Sequence, residues 1–445
     1  MAVVKVNSIR YNFLMNLLLT GSSVLFPLIT FPFVSRALLS DGYGLVTWAS
    51  SIASWVSLIA MLGVSRYGIR EVARVRDDNE KLIRVTTEIF AIIIISTIIV
   101  LACFIVSIFT LDQFSNCREL LFINAVTVLC NTLGVNWFFQ GIEKYRYISI
   151  QGILIKIACF VGVVCFIHVP NDYMLYAGIT VGAFGLANFA NFLYMVYLIN
   201  KAAKEVIEEK NNNPSNLKVI KQDNFIITRL KKSVFSGDGF RLKHHLKPLF
   251  TFFFVAASIS VYTSLDTVML GFLSDNSQVG YYSAATSVKT ALVGVVSALS
   301  GVLLPRASYM LSKGETDKFK SIVKKCILFV ILVSIPLVLV LFAFGTQLIV
   351  LYAGSDFEAA GPIVSLIGLA VIPISLSIVF CDAVMVPLGM EKYCSVIYAT
   401  AAVVDFVGNL FLIPLWGAMG ATIATVFVET MIAVIEFLLI RKHIF

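Results

Sequence analysis

Long apolar runs alternate with short polar gaps along the whole chain. Hydropathy divides it into twelve segments, at 11–35, 43–65, 87–110, 120–140, 149–169, 173–200, 248–272, 281–305, 326–346, 361–386, 394–414 and 418–440. Each is long enough to cross about 30 Å of hydrocarbon as a helix. The basic residues then sort the gaps. Taking the N-terminus, the successive gaps and the C-terminus in order, alternate ones hold 30 of the 34 Lys and Arg and the intervening ones hold two. Lys156 and Lys289 alone sit inside segments. Positive loops stay in the cytoplasm, so both termini are expected there. The pattern predicts an all-α integral membrane protein of twelve transmembrane helices.

Composition narrows the class further. With 59% hydrophobic and 13% charged residues and a mean hydropathy of +0.91, the chain is far from soluble globular composition. A net charge of +8 is here a topology signal rather than a nucleic-acid surface, and it suits anionic lipid headgroups. Lys5 and Arg10 precede an apolar run too long for a signal-peptide core and without an Ala-x-Ala site, so that run is expected to be the first span. Eight cysteines show no CxxC or metal-like spacing. Those in the apolar segments read as small hydrophobes, and Cys117 alone falls in a predicted external loop.

Internal similarity shows that the chain is built twice. Gly141-Ile142-Glu143-Lys144-Tyr145 follows the fourth segment, and Gly389-Met390-Glu391-Lys392-Tyr393 follows the tenth. Leu39-Ser40-Asp41 and Leu273-Ser274-Asp275 follow the first and seventh, each with a Gly-Tyr pair (Gly42-Tyr43, Gly280-Tyr281) opening the next. The expected domains are an N-terminal six-helix lobe at 1–200, a cytoplasmic basic linker at 201–247 and a C-terminal six-helix lobe at 248–445. An even number of spans keeps the lobes parallel in topology. In the linker, 201–210 (KAAKEVIEEK) reads as a helical extension with Lys201–Glu205 and Lys204–Glu208 at i, i+4. Residues 235–243 read either as connecting chain or as an amphipathic segment on the inner leaflet.

The longest predicted external loop, 347–360, carries Asp356 and Glu358 but no nucleophile constellation. No Walker-type glycine loop is present. The pattern therefore excludes an extramembrane catalytic head and direct ATP drive, and it implies no cofactor and no enzyme. Chemistry, if any, belongs to polar groups at membrane depth, where a charge costs a few kcal/mol and faces a partner or a wet cavity. Lys156 and Asp382 lie near enough to inner span ends to snorkel. Asp266 and Lys289 sit at matching depth and suit a pair across neighbouring helices. Asp405, at mid-span, shares a helix face with Tyr398 and Asn409; an ion-responsive carboxylate and an interhelical hydrogen bond both fit. Glu429 is as central but has poorer polar company. Asn12, Asn16 and Thr20 with Ser23, and Trp48 with Ser51 and Trp55, form stripes that suit either a sugar surface or close helix packing. Pro27, Pro32 and Pro373 are expected kinks.

The stretches Arg10-Tyr11-Asn12, Pro27-Leu28-Ile29-Thr30-Phe31-Pro32-Phe33-Val34-Ser35-Arg36-Ala37-Leu38, Leu62-Gly63-Val64-Ser65-Arg66-Tyr67-Gly68-Ile69-Arg70-Glu71 and Asn136-Trp137-Phe138-Phe139-Gln140-Gly141-Ile142-Glu143-Lys144-Tyr145 resemble those of bacterial Wzx-type polysaccharide flippases. These belong to the multidrug/oligosaccharidyl-lipid/polysaccharide exporter superfamily. The resemblance implies two pseudo-symmetric six-helix lobes around a central cavity in the bacterial inner membrane. It also implies leaflet transfer of undecaprenyl-diphosphate-linked oligosaccharides in O-antigen or capsule synthesis, beside a polymerase and a chain-length regulator. Under it, Arg36, Lys156, Lys289 and Arg306 are the headgroup candidates, because a diphosphate needs cations in a low-dielectric cavity. Asn12, Asn16, Thr20, Trp48 and Trp55 are the sugar-lining candidates, and Asp266, Asp382 and Asp405 the ion-coupling candidates. The rival is a multidrug/cation antiporter of the same superfamily, whose cavity should be dominated by acids.

The charge asymmetry generates a topological prediction. Cysteines introduced at Gln113, Asn276 and Asp356 should react with an impermeant thiol reagent from outside, whereas residues in 201–247 should not. Internal labelling of any of those three positions would overturn the map.

Overall fold

The structure, a computed structural model, describes residues 9–211 and 242–444; inside the helices the side chains of several stretches, 295–309 the longest, are not described. Among the described residues there is helix and turn, and no strand. In the first half run α1 (Ile9–Met61), α2 (Val64–Val75), α3 (Asn79–Thr110), α4 (Arg118–Leu133), α5 (Asn136–Gly141), α6 (Tyr145–Phe166) and α7 (Tyr173–Asn211). There follow α8 (Leu242–Leu273), α9 (Asn276–Ser312), α10 (Thr316–Ala353), α11 (Gly361–Gly368), α12 (Val371–Phe380), α13 (Glu391–Trp416) and α14 (Ala418–Ile444). The linker beyond Asn211, the segment at 235–241 included, lies outside the described residues up to Leu242.

Nine helices among the described residues are long and apolar enough to cross a membrane. The difference from twelve has a local cause at α1. Its 53 residues join the expected first and second segments, because the chain turns between them at Leu39 (φ 59°, ψ −179°) without leaving the helix. The seventh and eighth segments fall in α8 and α9, both of which contain undescribed side chains. Pro27 and Pro32 lie inside α1, yet Leu39 is the residue there with non-helical angles. Pro373 stands in the first turn of α12, where the missing N–H costs nothing. The break in this region falls before it, at Leu369–Ala370.

Contacts group the chain into two units. One consists of residues up to Ser22 with Ile52–Gly162 and Leu175–Ala257, and the other of Ser23–Ser51, Val163–Met174 and Ser258–Phe445. The first has a core around Trp137, Phe138, Phe139 and Tyr67, into which Leu249 of α8 also packs. Inside it α2, α3 and α8 meet at a buried polar chain. Tyr67 Oη lies 2.5 Å from His245 Nδ1, His245 Nε2 lies 2.9 Å from Glu88 Oε2, and Arg84 Nε donates to Glu88 Oε1 at 3.0 Å. Burial, then the Glu71 charge, push the Tyr67 phenol up to about 12, so it stays a donor to the ring. Arg70 stacks over the Tyr67 and Phe252 rings.

The second unit binds the α1 bend to later helices. The Arg36 guanidinium donates to the Leu351 and Tyr352 carbonyls at 2.5 and 3.2 Å, satisfying the end of α10. Asp356 Oδ2 accepts the Ser40 N–H at 2.6 Å, just past the bend. Trp48 is buried, its ring against Gly271 and its Nε1 donating to the Val268 carbonyl at 3.2 Å. These contacts over-determine Leu39, which is how a non-glycine residue is held at positive φ.

The two sequence repeats differ in backbone. Leu273-Ser274-Asp275 is a true helix end, with Asp275 Oδ1 accepting the Gln278 N–H at 2.8 Å, whereas Leu39-Ser40-Asp41 is a bend within one helix. In the other pair, the positive φ falls on Glu143 (56°) in the first copy and on Gly389 (74°) in the second. The following helix starts at Tyr145 in one and Glu391 in the other, two positions apart in the shared motif. Glu143 is held there by an ion pair with Arg76.

A side chain at Gly280 would meet the Ser40 carbonyl and one at Gly271 the Trp48 indole, whereas Gly178 has open space around it. Overpacking costs about 1–3 kcal/mol. Gly280→Ala and Gly271→Ala should therefore lower the melting temperature of the detergent-solubilised protein, and Gly178→Ala should not.

Candidate functional site

Membrane helices that carry polar residues must bring them together, and the second unit does so in one place. Asp266 on α8 is buried, and three donors converge on its oxygens. The Tyr282 hydroxyl of α9 makes a short hydrogen bond to Oδ2, Asn409 Nδ2 of α13 donates to Oδ1 at 2.7 Å, and the Thr425 hydroxyl of α14 lies 3.0 Å from Oδ2. Thr425 has one hydrogen to share between Asp266 and the Ala421 carbonyl at 2.9 Å. Asn409 Nδ2 also reaches Asp405 Oδ2 at 3.2 Å, one helical turn away. One amide thus ties two carboxyl groups together.

A cavity of about 400 Å³ opens beside this network, lined by Asp266, Tyr282, Lys289, Asp405, Thr425 and Glu429 among others. Three carboxyl groups and one ammonium share it. Two buried acceptors there, Asp405 Oδ1 and Asn409 Oδ1, have no hydrogen-bond partner among the described residues. The lining thus gathers carboxyl oxygens among hydroxyl groups and one ammonium. Its hard oxygens suit a proton or a small hard cation rather than an anion, and Lys289 supplies a positive charge against the acids, the one cation in the lining among the described residues. Among the described residues no group of three His, Cys, Asp or Glu is arranged to hold a metal ion.

The sequence candidates divide sharply by place. Asp266, Asp405 and Lys289 come together in this cavity, with Asp266 taking its hydrogen bonds from Tyr282, Asn409 and Thr425 rather than from Lys289. Asp382 lies in a π-helical turn, Cys381–Met385, after α12 and does not line the cavity. Arg36 is committed to the carbonyls ending α10, and Trp48 is packed against α8. Lys156 Nζ donates to Ser22 Oγ at 2.8 Å in the first unit. Trp55, in that same unit, is half-buried with Nε1 unpartnered among the described residues, and Thr20 is exposed. The side chains of Asn12, Asn16 and Arg306 lie outside the described residues.

Tyr282, Thr425 and Glu429 complete the cavity, and the sequence reading gave them too little weight. Periodicity along one helix finds Asp405 with Asn409. Only the antiparallel register of α13 and α14 across the Gly417 turn sets Glu429 beside them.

The described residues define a helical protein with helices long and apolar enough to cross a membrane, and the comparisons place it among transporters. A solved structure titled Lipid II flippase MurJ, inward closed conformation, superposes with a TM-score of 0.72 at 12% identity, over 96% of this chain and 87% of that one. An inward-facing multidrug resistance MATE family transporter of the MOP superfamily superposes at 0.66, again at 12% identity, over 97% of this chain and 98% of that one. The sequence profile described as Polysaccharide biosynthesis protein matches residues 9–311, and the chain belongs to that family. A profile described as MatE matches 252–411. A protein of Shigella dysenteriae named "Putative O-antigen transporter" is 24% identical over 423 residues, 95% of this chain and 98% of its own length.

The three donors on Asp266 generate a stability prediction. Thr425→Val removes one hydroxyl at constant shape and leaves a buried carboxyl group under-satisfied, at a cost of about 1–3 kcal/mol. It should lower the melting temperature clearly. Thr430→Val, whose exposed hydroxyl bonds only the Val426 carbonyl, should change it little.

Proposed function

We propose that this chain is a flippase that moves undecaprenyl-diphosphate-linked oligosaccharide repeat units from the inner to the outer leaflet of the bacterial cytoplasmic membrane. The observation that carries this reading is the end-to-end similarity to the Shigella dysenteriae protein named "Putative O-antigen transporter", 95% of this chain against 98% of the relative. In this reading the chain has twelve spans in two six-helix lobes, 1–200 and 248–445, with the termini and the 201–247 linker in the cytoplasm. Transport proceeds by alternating access, in concert with a polymerase and a chain-length regulator.

The cavity supports a division of labour. Its acid excess repels a diphosphate, so Asp266 and Asp405 serve the coupling ion, with Lys289 as their countercharge. The headgroup then falls to other cations, Lys156 and Arg306 among the candidates. Arg36 and Asp356 serve the moving parts: their bonds to the end of α10 and to Ser40 close a position that the charge map places at the outer face. Alternating access requires such contacts to open and re-form.

A second reading, a cation antiporter, draws on the MatE match and the same acid-rich cavity. Transport assays separate the two. Cells lacking the protein should accumulate lipid-linked repeat units on the inner leaflet with polymerisation chemistry intact. In proteoliposomes the purified chain should move such lipids, and Asp405→Asn should flatten the dependence of flipping on pH or sodium rather than only lower its rate. Export of cationic dyes without lipid transfer would establish the antiporter, and bond formation by the purified protein would overturn both.

A further inference from the structure

The polar seam does not end at the cavity. α13 and α14 run antiparallel from the Gly417 turn in close contact, Gly408 against Ala424 and Gly420 against Leu412. Counting outward from Gly417, Asn409 faces Thr425 at eight residues to either side, Asp405 faces Glu429 at twelve, and Tyr398 faces Glu436 at nineteen. The contacts bear out this register: the first pair shares Asp266, the second lines one cavity, and the third is in contact.

We infer that Glu436 is a second proton-carrying group of the transporter, linked through Glu429 to the Asp266–Asp405 cavity along the α13–α14 seam. The inference rests on the ion-coupled reading above and specifies its ion as a proton. Glu436 is fully buried. Its two oxygens lie against the Ser377 and Tyr398 hydroxyls, which are themselves 3.2 Å apart. The ionisable groups around it are Tyr398 and Cys394 on α13, Cys381 and Asp382 in the π-helical turn, and Glu429 on its own helix. Among the described residues, none of these is a cation, whereas Asp405 has Lys289 as a neighbour. A carboxylate buried without a cation is costly, and a proton removes that cost with no further ligand.

The transfer moves one proton. The Glu429 acid gives H⁺ to the Glu436 carboxylate and becomes the carboxylate itself, and no other bond changes. The two lie seven residues apart on α14, about 10 Å along its axis, so side-chain rotation or a bridging water must span the gap. Glu436 lies on the Arg441–Lys442 side of the cavity, the side that the charge asymmetry assigns to the cytoplasm. The seam is then the route between the cavity and the inner face.

The test uses the purified full-length protein in proteoliposomes loaded with the pH dye pyranine, with an acid step applied outside. Glu436→Gln should slow luminal acidification about a hundredfold, at the low end for removing one positioned proton carrier. Glu436→Asp should restore most of it, and the Glu436 protonated-carboxyl band should vanish from infrared difference spectra in Glu436→Gln alone. If Glu436→Gln does not fold, Tyr398→Phe, which keeps the ring, should slow the same signal. Wild-type acidification in Glu436→Gln, or in Tyr398→Phe where that variant stands in, overturns the relay. If Asp405→Asn is slow in that experiment, the cavity reading survives. If Asp405→Asn is also unchanged, the cavity reading falls with it.

Discussion

Hydrocarbon offers no hydrogen bond to a backbone N–H or C=O, and each left unpaired there costs several kcal/mol. Everything else in this molecule follows from that constraint. The described chain is helix because helix satisfies its backbone internally, and every interruption needs a side chain to stand in for the lost partner. At the α1 bend Asp356 takes the Ser40 N–H. At the end of α10 Arg36 takes the Leu351 and Tyr352 carbonyls. Asp275 and Asp172 accept the N–H groups at the turns before α9 and α7. These charges occupy helix breaks because breaks are where an apolar side chain would leave the backbone unpaired.

The same constraint explains why so few ionisable groups stand within the spans and why they cluster. A lone carboxyl group at depth would be expelled or neutralised, whereas Asp266 persists because a phenol, an amide and a hydroxyl from three other helices converge on it. The network therefore does structural work, since it fastens α8, α9, α13 and α14 at one point. It also leaves Asp405 and Asn409 oxygens unpaired among the described residues beside a cavity, which structure alone does not require. That residue of unsatisfied acceptors is the part of the network that points to a ligand.

Much of this was legible in the sequence, and the boundary of legibility has a physical cause. Hydropathy finds long apolar helices because their length is set by the bilayer, and Asp266, Lys289 and Asp405 stand out because charge at depth is rare. The helical period puts Asn409 with Asp405 correctly. What the period cannot give is the partner helix. Arg36 carries the same charge whether it meets a diphosphate or a helix end, and Trp48 the same ring whether it meets a sugar or Gly271. Only tertiary contacts separate those uses. The Leu39 bend was hidden for a related reason: leucine carries no turn signal, and its backbone angles are imposed by Arg36, Asp356 and Gly280 from outside the local sequence. Conversely, the repeated Gly-x-Glu-Lys-Tyr motif looked like one structure used twice. Yet its helix starts two residues apart in the two copies, because Arg76 pairs with Glu143 and thereby fixes the first copy's turn.

Small residues complete the logic of the seam. Gly408, Gly420 and Ala424 let α13 and α14 approach closely, the usual basis of helix association in membranes where no hydrophobic effect operates between helices. Close approach then has a second consequence. Two helices this near exclude lipid from their interface, so polar side chains set at matching distances from the turn see one another instead of hydrocarbon. Acids at twelve and nineteen residues from Gly417 are tolerable on this seam and would not be on the lipid-facing side of either helix, where Phe411, Leu415, Phe427 and Leu438 are exposed. The packing that stabilises the helix pair is thus also what makes room for carboxyl groups at membrane depth.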